Sequence, residues 1–102
     1  MSGHIPSIKS EEDFKQNLQT SKIPVLVQFS ASWCGPCRGL QAPMYKLSEE
    51  YKGRVLFQYI DVDKYGDISQ EYQVSGIPDV RLFSGSKEVG KVVGANVPAI
   101  TE

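Results

Sequence analysis

Two cysteines three positions apart, Cys34 and Cys37, are the residues of this sequence with the clearest capacity for chemistry. So close a pair closes almost no loop, and its value as a structural cross-link is small. The C-x-x-C spacing is compatible with half of a zinc site or with a redox-active dithiol. Zinc needs four ligands, and the chain offers no other cysteine and a single histidine, His4, far upstream. The residues therefore favour thiol–disulfide exchange, and a zinc site shared between subunits stays open as the minor alternative.

The segments on either side of the pair suggest how one cysteine is activated. The run from Pro24 to Phe29 is almost entirely apolar, as in a strand covered on both faces. A helix is expected from about Cys34 onward, because an apolar stripe then recurs at helical spacing. A helix N-terminus carries unpaired N–H groups and the positive end of the dipole, which favour a thiolate. We therefore expect Cys34 to be exposed and stabilised as a thiolate, Cys37 to be buried, and Pro36 to suit the first turn.

The rest of the chain predicts the elements that hold this pair in place. Ser10 and the acidic residues after it are typical of a helix start. Residues 55–60 are predicted to form a strand, and residues 67–72 a short helix. Two apolar runs flank residues 84–86, a pattern typical of a β-hairpin. A short first strand near residues 7–9 completes the order. Strand–helix–strand units give a parallel pair and the hairpin adds antiparallel strands, so we predict an α/β fold with a central mixed β-sheet flanked by helices.

Length and composition limit what kind of protein this is. The 102 residues suit a single domain, 1–102, with a loose N-terminal segment at residues 1–6. The net charge of -1 argues against binding of nucleic acid. No run approaches the ~18 apolar residues of a membrane span, and the N-terminus lacks the features of a signal peptide. These properties predict a cytoplasmic protein that binds neither nucleic acid nor membrane.

Three separated motifs resemble those of the thioredoxin family. Residues 29–38, Phe-Ser-Ala-Ser-Trp-Cys-Gly-Pro-Cys-Arg, resemble its active-site segment, closer to the eukaryotic cytosolic members. Residues 74–78, Val-Ser-Gly-Ile-Pro, resemble its cis-proline loop, and residues 93–96, Val-Gly-Ala-Asn, its glycine loop. Order and spacing match from roughly residue 8 to residue 100. The resemblance implies a thioredoxin fold and reduction of protein disulfides.

The resemblance also implies a role for each matching residue. Cys34 would be the attacking thiolate and Cys37 the resolving thiol. Pro78 would follow a cis peptide bond beside the sulfurs, and Ile77 would offer backbone groups to an extended substrate. Asp63 would accept a hydrogen bond from the indole of Trp33. A flat apolar rim around Cys34 would consist of Trp33, Gly35, Pro36, Val93, Gly94 and Ala95.

Three departures from the family bear on the predicted function, whereas Arg38 replaces the usual lysine and keeps its charge. Gln28 stands where most members carry a buried aspartate, proposed to take the proton of the second cysteine; because glutamine cannot ionise, we expect Cys37 to deprotonate more slowly and activity to be reduced. Asp79 stands where threonine is common, and we expect its carboxylate to be exposed and screened by salt. Residues 97–102 are too few for the family's last helix, so we expect a C-terminal helix that is short or truncated.

The resemblance implies a monomeric reductant that acts on disulfide-containing client proteins and carries no bound cofactor. Thioredoxin reductase would restore the dithiol with electrons from NADPH. Oxidation or isomerisation in a secretory compartment is a rival within the same class, but the spacer Gly35-Pro36 resembles that of reducing members. A binding or scaffold module with weak turnover is the alternative from another class, and the departures at Gln28, Asp79 and the C-terminus motivate it.

Overall fold

The computed structural model describes residues 5–94, which form four strands and three helices. The strands are β1 (Val25–Ser30), β2 (Leu56–Asp61), β3 (Asp79–Ser84) and β4 (Lys87–Val93). The helices are α1 (Glu11–Thr20), α2 (Gly35–Glu50) and α3 (Gly66–Glu71).

The strands form one mixed sheet in the order β2-β1-β3-β4. β1 runs parallel to β2, with α2 as the connection, and antiparallel to β3. β3 and β4 form the predicted hairpin, whose two-residue turn places Gly85 and Ser86 at positive φ, as the tight turns that match strand twist require. The expected first strand is reduced to an isolated parallel bridge between Ser7 and Tyr59.

Helices cover both faces of the sheet. Val25, Val27 and Phe29 of β1 pack in one cluster with Phe14 of α1 and Ile68 of α3. On the other face, Leu26 packs in a second cluster with residues of α2 and β2, namely Leu40, Met44, Leu47 and Phe57. Because side chains alternate along a strand, Gln28 and Ser30 lie on the α2 side with Leu26. All six residues of β1 are buried, as predicted from its continuous apolar run.

The first described residues belong to the packed molecule. Ile5 is buried, and the carbonyl oxygen of Pro6 accepts a hydrogen bond from the backbone N–H of Tyr59 at 2.9 Å. The expectation of a loose segment is therefore wrong for Ile5 and Pro6, because this segment lies beside β2 and forms a backbone hydrogen bond with it. His4 lies outside the described residues, as do Ala95 and the segment for which a short or truncated last helix was predicted.

None of the helices within residues 5–94 is long and apolar enough to cross a membrane. No group of three or more His, Cys, Asp or Glu side chains in that range could hold a metal ion.

Candidate functional site

Cys34 occupies the N-cap of α2, four residues after the end of β1. Its backbone is extended, and its Sγ accepts a hydrogen bond from the backbone N–H of Cys37 at 3.2 Å. The two cysteines form a disulfide, with their Cα atoms 5.2 Å apart. Pro36 lies in the first turn of α2. Backbone N–H groups in a first turn have no acceptor within the helix, so proline, which has no N–H, fits there at no cost. The helix start therefore directs an N–H group and the positive end of its dipole at the sulfur of Cys34.

Both cysteines are buried in the disulfide form. Cys34 is 5% exposed and Cys37 is 1% exposed. They pack with Ala31, and Val62 and Ile77 cover the cluster from neighbouring segments. The expectation of an exposed Cys34 is thus wrong in the disulfide form. The residue lies at the start of a helix, as predicted, but tertiary contacts cover it.

The segment before β3 reaches the sulfur of Cys34. The carbonyl oxygen of Ile77 lies 3.9 Å from Cys34 Sγ, and the peptide bond between Ile77 and Pro78 is cis. Pro78 is buried, and its carbonyl oxygen accepts a hydrogen bond from the N–H of Gly94 at 2.7 Å. Gly94 has φ +97, a left-handed conformation that favours glycine. Segments separated in sequence by more than forty residues therefore meet at the disulfide.

Gly76 of the same segment approaches β4 closely. A Cβ atom at this position would lie 3.2 Å from Cγ1 of Val93. Val93 is itself 52% exposed. The absence of a side chain at residue 76 therefore lets the segment lie against the end of β4.

Trp33 presents the largest exposed apolar side chain beside the disulfide. It is 63% exposed, and its Nε1 donates a hydrogen bond to Asp63 Oδ2 at 2.7 Å, as predicted. Asp63 follows β2, and its own backbone N–H donates to Asp61 Oδ1 at 2.9 Å. Gly35 and Pro36 are exposed next to Cys34. The loop after β2 thus holds the indole ring at the surface.

Gln28 is 1% exposed and lies on the side of β1 that faces α2. Its Nε2 and Oε1 atoms, like Oγ of Ser30, have no hydrogen-bond partner among residues 5–94. An amide can stay in such a place at a lower cost than a carboxylate, which would also have to lose its charge or find a cation. The expectation that Gln28 is buried is confirmed.

Asp79 contradicts the expectation of an exposed, screened carboxylate. The residue is buried, with 1% of its side chain exposed, and Arg81 donates to both carboxylate oxygens, from Nε to Oδ1 and from Nη2 to Oδ2, each at 3.0 Å. Burial alone would lower the pKa of Arg81, but the hydrogen bonds and charges of Asp79 and Glu88 together raise that pKa above its ordinary value. The carboxylate is thus neutralised by an adjacent buried cation, and water does not screen it.

Arg81 is the residue that sequence reasoning missed. It is only 4% exposed, and its Nη1 also donates to Glu88 Oε1 of β4 at 3.1 Å. The available signal was the spacing of Asp79 and Arg81, because positions i and i+2 of a strand share one face. Opposite charges on one face of a buried strand predict a pair.

Comparisons with known proteins agree with this geometry. The thioredoxin family model matches residues 6–101. The chain is 40% identical to thioredoxin-1 of Saccharomyces cerevisiae over 96% of this chain and 93% of that protein. It is 37% identical to a thioredoxin of Synechocystis over 90% of this chain and 85% of that protein. The crystal structure of oxidised mitochondrial thioredoxin 3 from Saccharomyces cerevisiae superposes with a TM-score of 0.86 at 31% identity, covering 94% of this chain and 89% of that one.

The match spans nearly the whole chain, and the redox pair stands where the sequence predicted it. Protein thiol–disulfide exchange is accordingly the activity of this protein, with disulfide-containing proteins as the class of client. The chain belongs to the thioredoxin family, whose members are protein disulfide reductases.

Proposed function

We propose that Cys34 is the nucleophile and Cys37 the resolving thiol of a protein disulfide reductase. The observation that carries this assignment is the place of Cys34 Sγ, which receives an N–H at the start of α2 and is bonded to Cys37. A thiolate at Cys34 attacks one sulfur of a substrate disulfide; an S–S bond forms and the second substrate sulfur leaves as a thiolate. The thiolate of Cys37 then attacks Cys34 Sγ, releasing the first substrate sulfur. Two electrons pass to the substrate, and the Cys34–Cys37 disulfide remains.

The surface around Cys34 fits an extended peptide. The backbone groups of Ile77 lie beside Cys34 Sγ, where they can bind the main chain of a substrate in the manner of strand addition. The backbone N–H of Gly94 donates a hydrogen bond to the carbonyl oxygen of Pro78, and this contact holds the segment of Ile77 and Pro78 against the residue that follows β4. We assign to substrate binding Trp33, Gly35 and Pro36 at the surface, together with Ile77, Pro78 and Gly94; the buried Pro78 takes part by holding Ile77 in place.

Three further residues modulate the site in this proposal. Gln28 replaces an ionisable group on the α2 side of β1 and slows deprotonation of Cys37. Asp63 holds the indole of Trp33 in the rim. Asp79 follows Pro78 directly and acts together with Arg81.

We also propose the setting in which this chemistry runs. Electrons come from NADPH through thioredoxin reductase, so that the protein is an electron carrier in cell redox homeostasis and holds no cofactor of its own. A cytoplasmic location is supported by the use of both cysteines in one redox pair, as in reducing compartments. A single domain over residues 1–102 is supported by the family match. A monomer is supported by the charged side chains of β4, Lys87, Glu88 and Lys91, which oppose pairing of that edge.

The assignment is tested by reduction of insulin with NADPH and thioredoxin reductase. We expect the wild type to turn over, Cys34→Ser to be inactive, and Cys37→Ser to accumulate a mixed disulfide at Cys34 that mass spectrometry detects. Trapping at residue 37 in Cys34→Ser would reverse the two roles. No turnover by the wild type, with Cys34 still reactive toward iodoacetamide, would instead favour the binding-module alternative.

A further inference from the structure

A buried ion pair lies immediately behind the substrate-binding segment. Asp79 is the residue after Pro78, and neither it nor Arg81 is more than 4% exposed. Asp79 pairs across the sheet with Phe29 of β1 and Val93 of β4. The pair is therefore enclosed between β1 and β4, the strands on either side of β3.

The guanidinium of Arg81 is held from several directions. Two of its nitrogens bind Asp79, and a third binds Glu88 of β4. Its central carbon lies 5.3 Å from the ring centroid of Phe29 and 6.0 Å from that of Tyr72. Arginine presents its donors in a rigid planar fork, and contact with aromatic rings adds attraction to the cation. The orientation of Arg81 thus determines the orientation of the Asp79 carboxylate.

This arrangement links the ion pair to the reacting sulfur through very few bonds. Asp79 is covalently joined to Pro78, whose carbonyl oxygen accepts from Gly94. Ile77 precedes Pro78 and places its carbonyl oxygen 3.9 Å from Cys34 Sγ. A docking site for a peptide backbone must be held within about 0.5 Å to be effective. A carboxylate bound at both oxygens is suited to that precision, and its charge is balanced on the spot.

We propose that Asp79 and Arg81 are positioning residues that hold the segment of Ile77 and Pro78 in place for docking of protein disulfides. The inference rests on the proposed docking role of that segment. The Asp79–Arg81 pair should affect the binding of extended substrates, which pair with the backbone of Ile77. It should not affect a small disulfide, which reaches Cys34 without that pairing. Removing one partner leaves an uncompensated buried charge that the segment must move to accommodate. Removing both charges together relieves that requirement.

The test compares KM for insulin with the rate on dithiobis(nitrobenzoate), a small aromatic disulfide, using NADPH and saturating thioredoxin reductase. We expect Arg81→Leu to raise KM for insulin about tenfold, a modest loss for a misplaced binding group, with the small-disulfide rate within about twofold of the wild type. Asp79→Thr/Arg81→Leu removes both charges and places threonine, common in relatives, after Pro78. We expect its KM to lie closer to the wild type than that of Arg81→Leu.

Two further variants keep the comparison specific. Glu71→Gln breaks the exposed Lys15–Glu71 pair, whose side chains are each 51% exposed, and we expect it to leave both substrates unaffected. Glu88→Gln weakens only the outer contact of Arg81 and, should Arg81→Leu not fold, carries the test with a smaller rise in KM. All rates are taken at a temperature at which circular dichroism shows each variant folded.

Unchanged KM in folded Arg81→Leu, or in Glu88→Gln where Arg81→Leu does not fold, would overturn the positioning role. So would equal losses on insulin and on the small disulfide, which would indicate damage at the sulfurs. Trp33→Ala separates this failure from that of the proposed docking surface. If Trp33→Ala raises KM while Arg81→Leu does not, only the ion-pair inference falls. If neither variant raises KM, the docking surface itself is wrong.

Discussion

Apart from the two cysteines, Gln28 is the residue with the largest expected effect on the chemistry. It lies on the α2 side of β1, buried, with an amide that has no hydrogen-bond partner among residues 5–94. An amide can donate to a thiolate or orient a water molecule, but it cannot accept the proton of Cys37. A carboxylate at this place could do so as a general base, a contribution typically worth ~10²–10⁴-fold.

We therefore predict that Gln28→Asp accelerates release of the mixed disulfide near neutral pH. Gln28→Asn is the matched control, because asparagine has the same size as aspartate but cannot ionise. Stopped-flow measurement of the resolving step in both variants separates general-base help from the change in volume. Equal rates in the aspartate and asparagine variants would show that proton transfer to residue 28 does not limit this step.

The same substitution should reduce stability. A carboxylate would be buried at this place, where the amide atoms of Gln28 have no hydrogen-bond partner among residues 5–94, so its ionised form is disfavoured and its pKa rises. With a raised pKa, the folded state retains full stability below the unfolded pKa and loses it as pH increases through the folded pKa. We predict that Gln28→Asp is about 2 kcal/mol less stable than Gln28→Asn at pH 7, with the gap closing near pH 4. Urea unfolding at both pH values measures it, and a constant gap would contradict the ionisation argument.

At the scale of elements, α1 depends on a capping residue that the sequence predicted. Ser10 Oγ accepts a hydrogen bond from the N–H of Asp13 at 3.0 Å. The acidic first turn of α1 suits the helix dipole, and Glu11 also accepts from the N–H of Ile68 in α3 at 3.2 Å. The start of α1 therefore contributes to the packing of two helices on one face of the sheet.

We predict that Ser10→Ala lowers the free energy of unfolding by about 1 kcal/mol, because an N–H at the helix start loses its acceptor. Ser10→Asp retains a capping oxygen and should stay close to the wild type. Urea denaturation followed by circular dichroism measures both. A loss of the same size in the aspartate variant would show that the cap is not the source of the effect.

At the scale of the whole molecule, the sheet separates two layers with different tasks. The α2 side carries Cys37 and Gln28, whereas the α1 and α3 side carries an aromatic cluster in which Tyr72 packs edge-on against Phe14 and Phe83. Burial, followed by the nearby charge of Glu71, raises the pKa of Tyr72 above its ordinary value of 10.0. The folded state thus favours the neutral phenol.

We predict a loss of stability in alkali that Tyr72→Phe reduces. The raised pKa means that the stabilisation is fully present below pH 10.0 and is lost as pH increases through the higher folded value. Tyr45→Phe, which removes a half-buried phenol on α2, controls for loss of a hydroxyl as such. Thermal unfolding between pH 8 and pH 11 measures the effect; the same alkaline slope in wild type and Tyr72→Phe would exclude this residue as its source.

The sequence by itself determined the features whose causes are local. The C-x-x-C spacing, the capping serine, the continuous apolar run of β1 and the hairpin turn each depend on residues within a few positions of one another. The three motifs then identified the family, and with it the topology and the partners expected around Cys34. Gln28 was expected to be buried because the family carries a buried aspartate at its place, within an apolar run.

Only the tertiary structure decided which groups meet across the fold. The cover over Cys34 comes from Ile77, which is 43 positions away, and no local pattern reports such a contact. The burial of Asp79 depended on Arg81, on Glu88 of the next strand and on the rings of Phe29 and Tyr72. A charged side chain is predicted at the surface from its hydration alone, and it is buried here because packing brings a cation and aromatic rings to it at once.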